Sequence, residues 1–198
     1  MVGVPRRPGL PDIVLASGSP RRQELLATLV PIFTITPAQI DETPLPCEGP
    51  ADLVARLARE KAAAVAAEVP AALVIGADTV GVLDGEILGK PAGEAQNREY
   101  LEALSARTHT VYTGHALLLE GEVAARVRET RVTFRKIAPA EMERYARSGE
   151  GFDKAGGYGI QGKGAAFIDG IEGCYMNVVG MSLVTVVELA KELGVELV

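Results

Sequence analysis

The sequence predicts an α/β protein built on a mixed sheet. Three observations carry this. The short apolar runs IVLAS (13–17) and LVIGAD (73–78), bounded by small turn residues, read as buried strands. Segments with apolar residues at helical spacing recur between the strands along the whole chain. The stretch HTVYTGHALLLEGEVAARVRETRVTFRKI (109–137) holds two long strands, and their connection at Glu120-Gly121-Glu122 is short enough only for antiparallel pairing.

In chain order, the first strand leads into SGSPRRQELLATL (17–29). Ser19 is the expected N-cap, Pro20 the first helical residue, and Leu25, Leu26 and Leu29 the apolar repeat. Arg21 and Arg22 then fall in the first turn, where unpaired N–H groups already make the field positive and an acid is the usual occupant. FTITPAQI (33–40) alternates weakly and is read as a strand, and DETPLPCEGP (41–50) as a loop. A helix over 51–69 carries Leu53, Val54 and Leu57 on one stripe. After the strand at 73–78, TVGVL-DG-EIL (79–88) reads as a hairpin turning at Asp84-Gly85. Helices follow at 93–105, 138–149 and 181–194. The glycine-rich stretch 153–175 reads as short strand-like pieces.

The totals exclude several classes. A net charge of −6 argues against non-specific nucleic-acid binding, and the absence of tryptophan argues against a base-stacking platform. Cys47, Cys174, His109 and His115 show no zinc-site spacing, and two unpatterned cysteines suit a reducing, cytoplasmic setting. The start, MVGVPRRPGLPD (1–12), lacks an apolar stretch of the signal-peptide kind and is expected to be a disordered tail ahead of one domain over 13–198. No apolar run approaches the roughly 20 residues of a membrane span.

Two familiar patterns fail on context. Gly157-Tyr158-Gly159-Ile160-Gln161-Gly162 fits GxGxxG, but strand and turn residues follow where a dinucleotide site needs a helix. Gly89-Lys90 lacks the earlier glycine of a phosphate loop, since Asp84 stands there, and Pro91 takes the hydroxyl position. What is left is charge at unusual places. Arg21 and Arg22 open a helix. Lys61 shares an apolar stripe with Leu57 and Val54, where a lysine ordinarily snorkels to water. Asp78 is read at the end of an apolar strand, and Lys90 in an extended segment before Pro91. Asp41 and Glu42 read first as loop acids and second as metal ligands. Together, four cations and several acids beside strand ends suit a polyphosphate, whether bound or hydrolysed.

LASGSPRRQELL (15–26), LAREKA (57–62), GADTVGVLDGEILGKP (76–91), HTVYTG (109–114) and DKAGGYGIQGKGA (153–165) stand in an order that resembles the Maf family of nucleoside triphosphate pyrophosphatases. The resemblance implies a mixed twisted sheet flanked by helices, with two lobes and a deep cleft. It implies hydrolysis of a nucleoside triphosphate to the monophosphate and pyrophosphate with a divalent cation, Mg²⁺ or Mn²⁺. Asp78 would be the base, Lys61 and Lys90 would face the phosphates, and Glu42 would join Asp78 at the metal. Arg21, Thr79 and Gln161 would govern substrate choice, with Ser17, Ser19 and Arg22 of SxSPRR beside the substrate. The DKAGxYGIQG pattern points to the subgroup acting on dTTP and UTP rather than the one acting on 7-methyl-GTP. A non-catalytic, nucleotide-binding regulator of septum formation is the rival the family also suggests, and the resemblance also suggests a homodimer. The chain departs from the pattern at Ala106, often glycine, and at Met181-Ser182 in GMSL, usually GLPL.

Overall fold

The apolar runs pair into one seven-stranded sheet of order β2-β1-β3-β5-β6-β7, with β4 on β3. The structure is a computed structural model and describes residues 9–198. The strands are β1 (Ile13–Leu15), β2 (Thr34–Ile35), β3 (Leu73–Leu83), β4 (Glu86–Leu88), β5 (Thr108–Leu119), β6 (Glu122–Phe134) and β7 (Ile168–Glu172). The helices are α1 (Pro20–Leu29), α2 (Pro50–Ala66), α3 (Glu94–Leu104), α4 (Pro139–Arg147), α5 (Tyr175–Val179) and α6 (Leu183–Glu192). The pairings β1–β2 and β1–β3 are parallel, and β3–β4 and β6–β7 antiparallel, so the sheet is mixed as predicted. Both two-residue hairpin turns, Asp84-Gly85 and Glu120-Gly121, use consecutive left-handed residues, the geometry that matches strand twist. Most of the expected tail, residues 1–8, lies outside the described residues. At its end the Asp12 carbonyl already accepts the Leu73 N–H at 2.7 Å.

Three details depart from the sequence reading. The strand at 73–78 and the hairpin arm at 79–83 are one strand, because nothing between Asp78 and Thr79 breaks the chain and TVGVL goes on to pair with β4. Asp78 therefore sits in mid-strand rather than at a strand end. The expected strand over 33–40 shrinks to two residues, since Pro37 cannot donate to a ladder. In the glycine-rich stretch, two 3₁₀ turns, Ala155–Gly157 and Lys163–Phe167, replace most of the strand-like pieces, and α5 follows β7. Left-handed φ at Gly156 and Gly157 curls the backbone too tightly for a strand.

The chain forms two compact units. The first comprises Met1–Asp78, Thr113–Arg128 and Gly180–Val198, and the second Thr79–Tyr112 and Glu129–Val179. In the first, the alanine-rich face of α2 (Ala58, Ala62, Val65) packs on Val14, Ala16, Val74 and Ala116. Met181 is fully buried, and Ser182 caps α6 by accepting the Thr185 N–H. Hence GMSL does the work of a helix start, with serine supplying the cap. In the second, Phe134, Tyr158, His109, Phe167 and Tyr145 form an edge-to-face aromatic cluster. Ala106, in the place where glycine is common, takes φ +59°. Neither Cys47 nor Cys174 forms a disulfide among the described residues.

Both histidines are buried. His109 Nε2 meets the Tyr158 hydroxyl at 2.8 Å, and His115 Nε2 accepts the Ser182 N–H at 2.8 Å, which fixes His115 as a neutral ring. Burial lowers each to about 4 from the ordinary 6.5, and at His115 the Arg22 charge adds to the effect. The unfolded chain binds protons on both rings from about pH 6.5 downward, whereas the folded chain refuses them until about pH 4. Stability is therefore complete above pH 6.5 and falls as pH is lowered, by about 1.4 kcal/mol per pH unit for each ring. Urea titrations at pH 7.0, 6.0 and 5.0 should show this loss, and His115→Gln should remove one proton from the slope. A flat profile over that range would contradict it.

Candidate active site

The site in the first unit depends on how closely α2 lies on the sheet. Proline at its first position and Asp52 in its first turn start the helix. Gly76 on β3 and Gly114 on β5 then face helix backbone. A Cβ on Gly76 would stand 2.4 Å from the Ala58 carbonyl oxygen, and one on Gly114 would stand 2.0 Å from that of Val54. Only strands without side chains at these two points admit the helix. Asp78, two residues beyond Gly76, points to the same face of β3.

This close approach puts Lys61 against Asp78. The lysine is 7% exposed and the aspartate 8%, so Lys61 does not snorkel. Its ammonium donates to Asp78 Oδ1 at 2.6 Å and meets Glu42 Oε1 at 2.7 Å. One buried cation therefore gathers two carboxylates from separate segments.

Glu42 reaches Lys61 from a loop without regular structure, and a clamp shapes that loop. Arg56 on α2 binds both oxygens of Glu48, at 2.6 and 2.9 Å, and also the Thr43 carbonyl at 3.1 Å and Glu60 at 3.0 Å. Glu48 also accepts the Leu45 N–H, and the Arg56 hydrogen bonds hold its carboxyl at about 2. Asp41 closes a turn by accepting the Thr43 N–H rather than joining Glu42 on Lys61. Sequence reading passed over Arg56 and Glu48, because an ordinary surface pair gives no local signal that it ties down a loop.

At the start of α1, Ser19 occupies the N-cap position but makes no side-chain cap, and there is no acid in the first turn. Its own N–H donates to Ser17 Oγ. Arg22 turns back instead of out. Its Nε donates to the Gly180 carbonyl at 2.9 Å and its terminal nitrogen to Ser17 Oγ at 3.2 Å. Burial lowers the Arg22 pKa, while the Asp78 charge pulls it back up. Arg22 is thus the brace of this corner, and Arg21 is half-buried on the same turn.

Thr79, Lys90 and Gln161 belong to the second unit. Thr79 is half-buried on β3, and Lys90 is exposed ahead of the buried Pro91. Gln161 is exposed on the turn between the two 3₁₀ segments. The buried Asn97 of α3 fastens the approach to that turn by donating to the Gly157 carbonyl at 2.6 Å.

Among the described residues, no group of three or more His, Cys, Asp or Glu side chains forms a metal cage. The donors present still fit a hard divalent cation. Glu42 and Asp78 both bring a carboxylate oxygen to the Lys61 ammonium, and Mg²⁺ and Mn²⁺ are commonly held by one or two carboxylates completed by water and phosphate.

The Maf-like protein family model matches residues 12–193. A dTTP/UTP pyrophosphatase of Moorella thermoacetica is 52% identical over 189 residues, covering 93% of this chain and 96% of its own. One of Myxococcus xanthus is 51% identical over 185 residues, covering 93% and 94%. One of Deinococcus radiodurans is 47% identical over 186 residues, with the same coverage as the second. Among solved structures, the Staphylococcus aureus Ham1 protein overlaps 65% of this chain and 72% of its own at a TM-score of 0.44 and 19% identity. With the family model running almost from end to end and close relatives matching over the same span, the chain belongs to the Maf family.

Proposed function

We propose that this chain hydrolyses dTTP and UTP to the nucleoside monophosphate and pyrophosphate, as a housekeeper of the cytoplasmic nucleotide pool. The observation that carries the reading is the buried Lys61 ammonium held between Asp78 and Glu42. The names of the relatives supply the two nucleotides.

The chemical problem is attack by water on a polyanion. Phosphate charge must be cancelled before an oxygen nucleophile can approach. Lys61, Arg21 and Lys90 supply that charge, and the positive dipole end at the start of α1 adds to it. Glu42 and Asp78 would hold a divalent cation, which would supply further neutralisation of the phosphates. Asp78 either accepts the proton of the attacking water or anchors the cation, and in both roles the reaction uses its negative charge. Gln161 offers a donor and an acceptor to the matching edge of thymine or uracil, and Thr79 stands beside Asp78 on the same strand.

The test is a panel of dTTP, UTP, CTP, GTP and 7-methyl-GTP with Mg²⁺ or Mn²⁺. The expected result is pyrophosphate release fastest from dTTP and UTP. Gln161→Glu should lower kcat/KM for these two at least about tenfold more than for CTP, since a lost base hydrogen bond is paid at a desolvated site. Equal loss on all nucleotides would take Gln161 out of base choice.

A further inference from the structure

The turn that presents Gln161 is wrapped around one carboxylate. Glu150 Oε2 accepts the Lys163 N–H at 3.0 Å, and Oε1 accepts the Gly164 N–H at 3.1 Å and the Tyr145 hydroxyl at 3.1 Å. The same Tyr145 oxygen accepts the Gly159 N–H at 2.9 Å. The backbone is therefore pinned on both sides of Gln161, at 159 and at 163–164. The fit leaves no slack: a Cβ on Gly162 would lie 2.5 Å from Glu150 Oε1, and one on Gly164 would lie 2.7 Å from the Gly159 carbonyl oxygen. Lys154 closes the back by donating to the Glu150 carbonyl at 2.5 Å. Burial alone would raise the Glu150 carboxyl. The two backbone N–H groups, the Tyr145 hydroxyl and the Lys154 charge outweigh it and hold the group below its ordinary value, so it is ionised at neutral pH.

A charged acceptor of three hydrogen bonds costs desolvation, but an apolar side chain there would leave two backbone N–H groups and a hydroxyl without their acceptor. What the carboxylate adds is direction. Consecutive N–H groups aimed at one anion fix the dihedral angles of the turn, as a phosphate fixes an anion-binding nest. The side chain carried outward by that turn is Gln161, which is exposed and has little packing of its own to orient it.

We infer that Glu150, with Tyr145, is a positioning residue that sets the place of Gln161 and so the choice of pyrimidine base. This rests on Gln161 reading the base, as proposed above. Glu150 itself touches no substrate. Its effect is on discrimination more than on the phosphate chemistry, which belongs to Asp78, Lys61, Arg21 and Lys90.

The experiment compares Glu150→Gln, Tyr145→Phe, Gln161→Ala and the double variant Glu150→Gln/Gln161→Ala in kcat/KM for dTTP against CTP. It also follows amide hydrogen exchange at Gly159, Lys163 and Gly164. Glu150→Gln puts an NH₂ where one of the two acceptor oxygens stood. It should lower the dTTP:CTP ratio about tenfold, in line with the rate cost of small misplacements, and speed exchange at those amides while leaving α6 protected. Tyr145→Phe should act in the same direction more weakly, and it serves where Glu150→Gln fails to fold. Glu150→Asp should recover part of the ratio. The double variant should be no worse in ratio than Gln161→Ala alone. If Gln161→Ala collapses the ratio and Glu150→Gln leaves it intact, positioning is wrong and base reading stands. If Gln161→Ala leaves the ratio intact, base reading is wrong, and unchanged exchange in Glu150→Gln overturns the positioning as well.

Discussion

Asp78→Asn should abolish most turnover while nucleotide still binds, with kcat falling about 10²- to 10⁴-fold, the usual worth of a positioned proton acceptor. The substitution keeps the shape of the side chain and an oxygen for Lys61 to donate to. Glu42 stays on the same ammonium at 2.7 Å, so the lysine is not left as an uncompensated buried charge. The loss would then reflect the missing negative charge rather than a collapsed site. Single-turnover pyrophosphate release and calorimetric binding of dTTP separate the two. Near-normal turnover would remove Asp78 from the chemistry. Loss of binding and turnover together, with an unchanged fold, would make it a binding group instead.

Gly76→Ala should cost stability and activity at once. The added methyl would meet the Ala58 carbonyl oxygen at 2.4 Å and Ala62 Cβ and N at 2.9 Å. A helix carbonyl cannot swing aside as a flexible side chain can, so α2 must lift from the sheet, at a cost of about 3 kcal/mol. Because Lys61 travels with α2, its contact with Asp78 opens in the same movement. Gly170→Ala is the control. Nothing lies within 4 Å of its Cβ, and a change that adds a methyl into open space is worth about 0.5 kcal/mol or less. Urea denaturation and dTTP turnover should both separate the two variants. Equal stabilities would show that the close approach of α2 is not what holds the site.

Much of this was legible in the residues. The hairpins at Asp84-Gly85 and Glu120-Gly121 were announced by turn chemistry, and α1 by Ser19-Pro20 ahead of a leucine repeat. Lys61 stood out on its apolar stripe, but the pattern favoured snorkelling and gave no sign of the buried pair with Asp78. The local pattern did not carry what depends on partners distant in sequence. Arg56 and Glu48 look like surface charges until the loop folds back, and Glu150 looks like one more acid until 159–164 closes on it. Gly76 and Gly114 were also passed over, although glycine inside a strand pattern is the local signal of a close backbone approach. The arginine pair of α1 divides in the structure. Arg22 finds the Gly180 carbonyl, Ser17 and the field of Asp78, and Arg21 is the one proposed for the substrate.

Hydrolysis that releases pyrophosphate is read out by ³¹P NMR of dTTP incubated with the purified chain and Mg²⁺ or Mn²⁺. The expected result is dTMP and pyrophosphate, formed in equal amounts and far more slowly with Asp78→Asn. Formation of dTDP and orthophosphate would contradict it. So would unchanged dTTP alongside measurable binding, which would make the chain a nucleotide-binding regulator.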